Sequence, residues 1–190
     1  YIMAGTLSVQ KIQGLASSAT PTTIEIASGH VLQAPGHVLQ TKSVSLTDEV
    51  TISSQTQADI HSNLSMSITP SSASNKILIS YNVTYGINGD VCHGYLYLVR
   101  DSTNLLVGTA SGSRDTATHV FNNGNSPGSH QNVAGFFLDS PNTTSAVTYK
   151  LQCKTSNSNP VYINRSGRDT DNVDYDGRGT STFLVQEIAG

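Results

Sequence analysis

The chain has 190 residues, with 10 Lys and Arg against 13 Asp and Glu, so its formal net charge is −3. This length suits one domain, or one domain with an arm. Because a nearly neutral chain lacks the basic surface that binds nucleic acid or anionic membranes, we expect neither partner. The longest wholly apolar run, Tyr95–Val99, is far shorter than the ~18 residues of a membrane span, so membrane insertion is not expected either.

The first 40 residues are predicted to form an extended N-terminal arm. Their apolar residues fall in short segments that alternate with polar residues, as half-buried strands do. The segments contain too few large side chains to build a core, and a linker of small residues, 14–21, separates them. The apolar residues that we expect to dock elsewhere are Leu7, Val9, Ile12, Ile24 and Ile26.

Residues 41–190 are predicted to form a β-sandwich domain. Alternating or wholly apolar segments recur every 8–12 residues, separated by clusters of Gly, Asn, Ser and Pro, which is typical of antiparallel sandwiches. We therefore expect an all-β, antiparallel, jelly-roll-like sandwich with at most a single helical turn. Strands are predicted near residues 38–46, 50–56, 64–69, 76–87, 94–100, 104–109, 117–121, 131–138, 146–155, 160–164 and 181–188.

No motif in the sequence favours an enzyme. Residues 124–128 match the letters of the G-x-S-x-G hydrolase pattern, but that mechanism needs a strand before the serine and a helix after it. Here two asparagines precede the pattern and Pro127 follows the serine, so a glycine-rich loop is the better interpretation. Hydrolysis of polysaccharide needs paired carboxylates, and the three glutamates, Glu25, Glu49 and Glu187, are scattered. We expect a non-enzymatic protein without a cofactor.

Four aspartates crowd one segment near the C-terminus and are the candidate calcium ligands: Asp169, Asp171, Asp174 and Asp176. Carboxylate oxygens at close spacing suit calcium, although the order departs from the EF-hand pattern. Three arginines flank the same segment, and arginine–aspartate pairing would satisfy the same charges. The paired structural loop is the favoured interpretation, and no metal site is assigned.

Two further sets of residues leave alternatives open. Cys92 and Cys153 form a disulfide if they face each other on paired strands, or remain two buried thiols. Four N-x-S/T sequons are candidate glycosylation sites, no more than chance provides; their acceptors are Asn63, Asn82, Asn142 and Asn164.

Several stretches taken together resemble a known group of proteins. They are residues 65–79, 99–103, 112–114, 137–141, 162–165, 175–182 and 186–188. This set resembles phage structural proteins, mostly from viruses of aquatic bacteria, which are described as tail-fibre-like or virion proteins. The likeness covers about residues 36–190, and residues 3–10 also look like the start of such proteins.

The resemblance implies a non-enzymatic β domain in a fibre or on a virion surface. We expect a structural subunit that assembles with copies of itself, as a filament or a trimer, with the arm docked on a neighbouring subunit. The location is then an extracellular fibre or a virion surface. The alternative is a receptor- or glycan-binding tip or decoration module of a phage tail fibre or capsid, with a host cell-surface glycan as partner. Its contacts would come from loop residues Asn123, Asn125, Arg165, Arg168 and Tyr175.

Overall fold

The computed structural model describes residues 34–87, 92–122 and 128–190, and the chain divides into two compact units, residues 1–32 and 33–190. The second unit contains the twelve strands of the described residues. Its first six strands are β1 (Val38–Leu46), β2 (Val50–Ile52), β3 (Ala58–Asp59), β4 (Ser65–Ile68), β5 (Lys76–Ile87) and β6 (Gly94–Arg100). The other six are β7 (Thr103–Leu105), β8 (His119–Phe121), β9 (Gln131–Asp139), β10 (Val147–Thr155), β11 (Val161–Ile163) and β12 (Ser181–Ile188).

These strands form two antiparallel sheets in jelly-roll order. In the first sheet, β5 lies between β9 on one side and β12 with β11 on the other, and β1 and β2 complete the far edge. In the second sheet, β10 and β6 are central, with β3 and β4 outside β10, and β7 and β8 outside β6. When β1 is counted with β2, β3 with β4, and β11 with β12, the chain crosses to the other sheet at every step except from β6 to β7 and β8, as in the double Greek key of a jelly roll. The predicted all-β sandwich is confirmed.

The strands form where the sequence places apolar residues at every second position. Along β5, six alternate side chains from Ile77 to Ile87 point inward and are buried, and β10 buries Val147, Tyr149, Leu151 and Cys153 in the same way. Residues of both sheets meet in one hydrophobic core, whose burial is the main stabilising contribution.

Some boundaries differ from the sequence prediction. The strand expected at 50–56 ends at Ile52, where β2 stops pairing with β11 in the first sheet. The chain then enters the second sheet, where β3 pairs with β10 from Ala58. The one helical element in the described residues is a 3-10 turn, Ser62–Leu64, capped by the His61 side chain. β1 begins at Val38, so the last three residues assigned to the arm lie in the first sheet. Among the described residues, no helix is long and apolar enough to cross a membrane.

A buried polar cluster joins the two sheets. Asp139, at the end of β9, is 6% exposed and accepts hydrogen bonds from Tyr149 Oη at 2.6 Å and Arg100 Nη1 at 2.7 Å. Burial, together with the Asp139 carboxylate, raises the pKa of the Tyr149 hydroxyl, which therefore stays a donor. Because Asp139 belongs to the first sheet and its partners to the second, the cluster fixes the edge of the sandwich beside β9.

A second buried carboxylate secures the end of β12. Glu187, 1% exposed, accepts hydrogen bonds from the backbone and hydroxyl of Ser71, from Asn75 Nδ2 and from Gln40 Nε2. Burial alone would raise the pKa of Glu187, but these donors outweigh it and the pKa is lowered. The turn before β5 is thereby tied to β1 and β12.

Candidate functional site

The candidate site is the free edge of β9, the edge that faces away from β5. β9 pairs with β5 over nine residues, from Gln131 opposite Tyr85 to Asp139 opposite Ile77, without a register shift. No described strand pairs with its other edge. Two large apolar side chains on its outward face are exposed, Phe136 at 76% and Leu138 at 53%. Within residues 34–87, 92–122 and 128–190, the backbone groups of this edge therefore have no strand partner.

Proteins normally protect such an edge with lysine, proline, a bulge or a covering segment. β9 contains no lysine, no proline and no bulge. The edge strand on the opposite side of the sheet differs, because β1 carries Lys42, has a register irregularity near Val38, and lies beside the 3-10 turn. Of these two nine-residue edges, only β9 lacks protection within the described residues.

A groove of about 480 Å³ runs along the same edge. Tyr81 reaches across β9 at Gly135, and its hydroxyl lies 2.8 Å from Nε2 of His119 on β8. A Cβ at position 135 would lie 2.6 Å from that hydroxyl, so glycine is required for this close approach. Leu106 and Phe136, both more than half exposed, form the rim.

The Tyr81–His119 pair is uncharged near neutral pH. Burial raises the pKa of Tyr81 to about 12 and lowers the pKa of His119. The groove therefore offers apolar surface with one neutral hydrogen-bonded pair at its base, which suits an apolar or amide-bearing segment of a polypeptide.

The loop after β11, residues 164–180, is stabilised by ion pairs and hydrogen bonds among its own residues. Asp176, whose side chain is 2% exposed, accepts hydrogen bonds from Arg168, from Ser166 Oγ and from the backbone of Thr170. The Arg168 guanidinium, more than any other partner, lowers the pKa of Asp176. Arg168 also lies 4.5 Å from the centre of the Tyr175 ring, which remains 54% exposed.

The other charges of this loop pair at its base. Arg165 and Arg178 both contact Glu49 at 3.1 Å and both contact Asp169. Asp171 and Asp174, the remaining calcium candidates, are exposed. Within the described ranges, no three His, Cys, Asp or Glu side chains come together as metal ligands. Arg165 and Arg168, two of the candidate ligand-loop residues, are thus engaged within the loop itself.

Cys92 and Cys153 are both buried free thiols. Burial raises the pKa of Cys153 to about 12 and also raises that of Cys92. The Cys92 thiol donates to the backbone carbonyl of Asn159 at 3.1 Å. The sequence left open a disulfide or two buried thiols, and in the structure the two cysteines are buried thiols.

The four sequons lie in different environments. Asn63 and Asn142 are exposed, in the 3-10 turn and in the segment before β10, whereas Asn82 is half-buried on the outward face of β5. Asn164 is 1% exposed, and its Nδ2 donates to the carbonyls of Leu46 and Asp48. Because Nδ2 is the atom that would carry a glycan, the folded state does not present Asn164 for modification. Glycosylation at the others stays a prediction.

The remaining predicted site residues lie outside the described residues. They are the arm residues Leu7, Val9, Ile12, Ile24 and Ile26, and the loop residues Asn123 and Asn125. Sequence reasoning missed the β9 edge, although residues 135–138, Gly-Phe-Phe-Leu, carried a signal. Adjacent apolar residues in a strand mean that both faces bear apolar side chains.

No protein-family model matches the chain, and no curated protein matches it. Among solved structures, the chain is similar to one described as infectious bursal disease virus, Gx strain, with a TM-score of 0.41 and 12% identity over 88% of this chain. It is also similar to the VP2 subviral particle of infectious bursal disease virus, with a TM-score of 0.40 and 14% identity over 88% of this chain. The chain spans less than half of each, 45% and 42% respectively.

Proposed function

We propose that this protein is a non-enzymatic structural subunit that self-assembles into an extracellular or virion fibre, with its N-terminal arm docked on a neighbouring subunit. The observation that carries the proposal is the unprotected edge of β9, with Phe136 and Leu138 exposed along it. An exposed, regular, apolar edge strand is a template for pairing with another chain. The fibre or virion setting follows the resemblance of residues 36–190 to phage structural proteins.

The arm has the pattern that such an edge accepts. In strand addition, backbone hydrogen bonds supply affinity and alternate side chains enter pockets on one face. Ile24 and Ile26 alternate with Thr23 and Glu25, so one face of this segment is apolar and the other polar. Added to β9 of a neighbour, the segment directs the isoleucines to the groove between Leu106 and His119 and leaves the polar residues outside.

The geometry of repeated docking determines the form of the assembly. An arm that docks head-to-tail on the next subunit makes a heterologous contact, which produces a filament if the rotation does not close and a ring such as a trimer if it does. The small net charge of −3 opposes neither form, because like-charged subunits would repel only weakly.

The test compares two charge-matched double variants of the full chain. Ile24→Asp with Ile26→Asp places two carboxylates on the apolar face of the arm, whereas Thr23→Asp with Ala27→Asp places two on the other face. We expect filaments or closed rings, by negative-stain electron microscopy and light scattering, for the parent and the Thr23/Ala27 variant, and none for the Ile24/Ile26 variant. A parent protein that stays monomeric, or equal assembly of both variants, would refute the proposal.

A second candidate, a receptor- or glycan-binding tip, is favoured by one observation. The loop held by the Arg168–Asp176 ion pair exposes Tyr175 and, at 99%, Val173, and aromatic rings beside polar groups suit sugars. We expect glycan-array binding that is lost in Tyr175→Ala and retained in Val120→Ala, a control on the second sheet. A blank array with folded protein would count against this candidate.

A further inference from the structure

One residue beside the β9 groove has a backbone conformation that its side chain does not favour. Leu106, directly after β7, has a φ of 51°, in the left-handed region. Leucine rarely adopts this region, because its Cβ then crowds the following carbonyl oxygen. Asparagine and aspartate tolerate it better, and they account for the other non-glycine residues of positive φ in the described part of the chain: Asp101, Asn142, Asn164 and Asp169.

Hydrogen bonds fix the backbone on both sides of Leu106. The preceding residue, Leu105, pairs with β6, and its carbonyl accepts from Thr118 Oγ1 at 3.0 Å. Two residues after Leu106, the backbone N–H of Gly108 donates to the carbonyl of Ala117 at 3.2 Å. An unfavourable backbone conformation persists where the surrounding structure determines it in this way.

The left-handed conformation places the Leu106 side chain at the groove. Leu105 faces the core and is 8% exposed, so a regular strand would direct residue 106 to the outward face of the second sheet. Instead Leu106 lines the groove beside β9, together with His119 and Gly135. It stays 53% exposed there, so the fold gains little from burying it. Backbone strain of this kind is concentrated at binding sites, and Leu106 combines it with an exposed apolar side chain.

We propose that Leu106 is a positioning residue for the incoming arm strand, which it holds in register on the free edge of β9; this inference rests on the proposed docking of the arm. Leu106 and Phe136, both more than half exposed, form two walls of the groove, and Gly135 has no side chain to fill it. One isoleucine of the arm, Ile24 or Ile26, enters between the walls. Because successive side chains on one face of a strand are about 6.8 Å apart, the other isoleucine lies further along β9.

Replacing two equally exposed apolar residues with asparagine separates this role from ordinary packing. Leu106 and Val120 are each 53% exposed, and Val120 lies in β8. Asparagine tolerates the left-handed conformation but is unfavourable in a strand. In urea unfolding, we therefore expect Leu106→Asn to keep a midpoint close to that of the parent, because relieved strain offsets lost packing, and Val120→Asn to have a lower midpoint.

Assembly of the same full-length variants should show the opposite order. We expect Leu106→Asn to raise the critical concentration for assembly, measured by light scattering, about tenfold, since docking no longer buries the exposed half of a leucine side chain. Val120→Asn should leave the critical concentration unchanged. A residue that only stabilises the fold would not weaken assembly while the urea midpoint is retained.

Cysteine cross-linking locates the contact in the assembled protein. Full-length Leu106→Cys is mixed with full-length Ile24→Cys or Ile26→Cys and oxidised, while the two native thiols are buried. We expect one of the arm variants to form a disulfide-linked dimer that contains one chain of each kind, identified by mass spectrometry. Val120→Cys in place of Leu106→Cys should give no such dimer.

The outcomes separate the role of Leu106 from arm docking itself. A parent protein that stays monomeric, or assembly that survives Ile24→Asp with Ile26→Asp, would overturn arm docking and the role of Leu106 with it. If that double variant abolishes assembly but Leu106→Asn does not weaken it, arm docking stands and the role of Leu106 is overturned. A lowered urea midpoint in Leu106→Asn with a matching loss of assembly, or no cross-link with either arm variant, would also overturn that role.

Discussion

Replacing Glu187 with glutamine tests how much its buried carboxylate contributes to the stability of this end of the sandwich. None of the ion pairs among the described residues involves Glu187, and its oxygens accept four hydrogen bonds of 2.6–2.9 Å. Bonds to a charged acceptor each contribute about 1.5–3 kcal/mol net, roughly twice the neutral value. Glu187→Gln halves the strength of those that remain and turns an NH₂ group towards a donor. We expect a loss of about 3 kcal/mol in the free energy of unfolding at pH 7.

The pH dependence of the free energy of unfolding tests the same prediction, because the pKa shift of Glu187 fixes its direction. Because the pKa of Glu187 is lowered in the folded state from the ordinary glutamate value of 4.5, its contribution is fully present above that value and is lost as the pH falls through the lowered pKa. Urea unfolding of the parent and of Glu187→Gln should therefore converge as the pH falls below 4.5. Glu49→Gln, at an exposed carboxylate, is the control and should change stability by under about 1 kcal/mol. A constant difference between parent and Glu187→Gln from pH 7 to pH 3 would show that the charge of Glu187 does not stabilise the fold.

Three further predictions concern the interior. Asp139→Ala leaves Arg100 without its buried acceptor and should cost about 3 kcal/mol by urea unfolding, whereas a loss under 1 kcal/mol would show that the cluster is not stabilising. Gly135→Ala forces Tyr81 from its position over β9 and should cost about 1–3 kcal/mol, with an altered Tyr81 environment in near-ultraviolet circular dichroism; an unchanged spectrum would contradict it. The Cys153 thiol, fully buried and with a raised pKa, should react with a thiol reagent only after unfolding, and rapid labelling of native protein would refute its burial.

The strands could be predicted because the alternation of apolar and polar residues that marks a strand is visible within a few consecutive residues. β5, with six buried residues at alternate positions, and β12, with Phe183 and Val185, have the predicted bounds of 76–87 and 181–188. The strand expected at 50–56 ended early because the chain leaves the first sheet after Ile52 and pairs with β10 at Ala58. Such a crossover depends on a partner almost a hundred residues away, which a local pattern does not contain.

The groove beside β9, on which the proposed function rests, depends on contacts distant in sequence. Leu106, His119 and Phe136 line one groove but belong to three separate segments. From the sequence, the Phe136–Phe137 pair breaks the alternation of β9 and indicates that an apolar side chain faces outward. The apolar runs 77–79 and 183–185 indicate the same for Leu78 and Leu184.

A cryo-electron microscopy map of the assembled parent protein would show directly whether the arm of one subunit docks on β9 of the next. We expect an additional strand hydrogen-bonded to the free edge of β9, traceable to residues 22–26 of a neighbouring subunit, with Ile24 and Ile26 in the groove beside Leu106. A map in which subunits meet elsewhere while the β9 edge faces solvent would contradict it, as would a strand on that edge that belongs to the same chain.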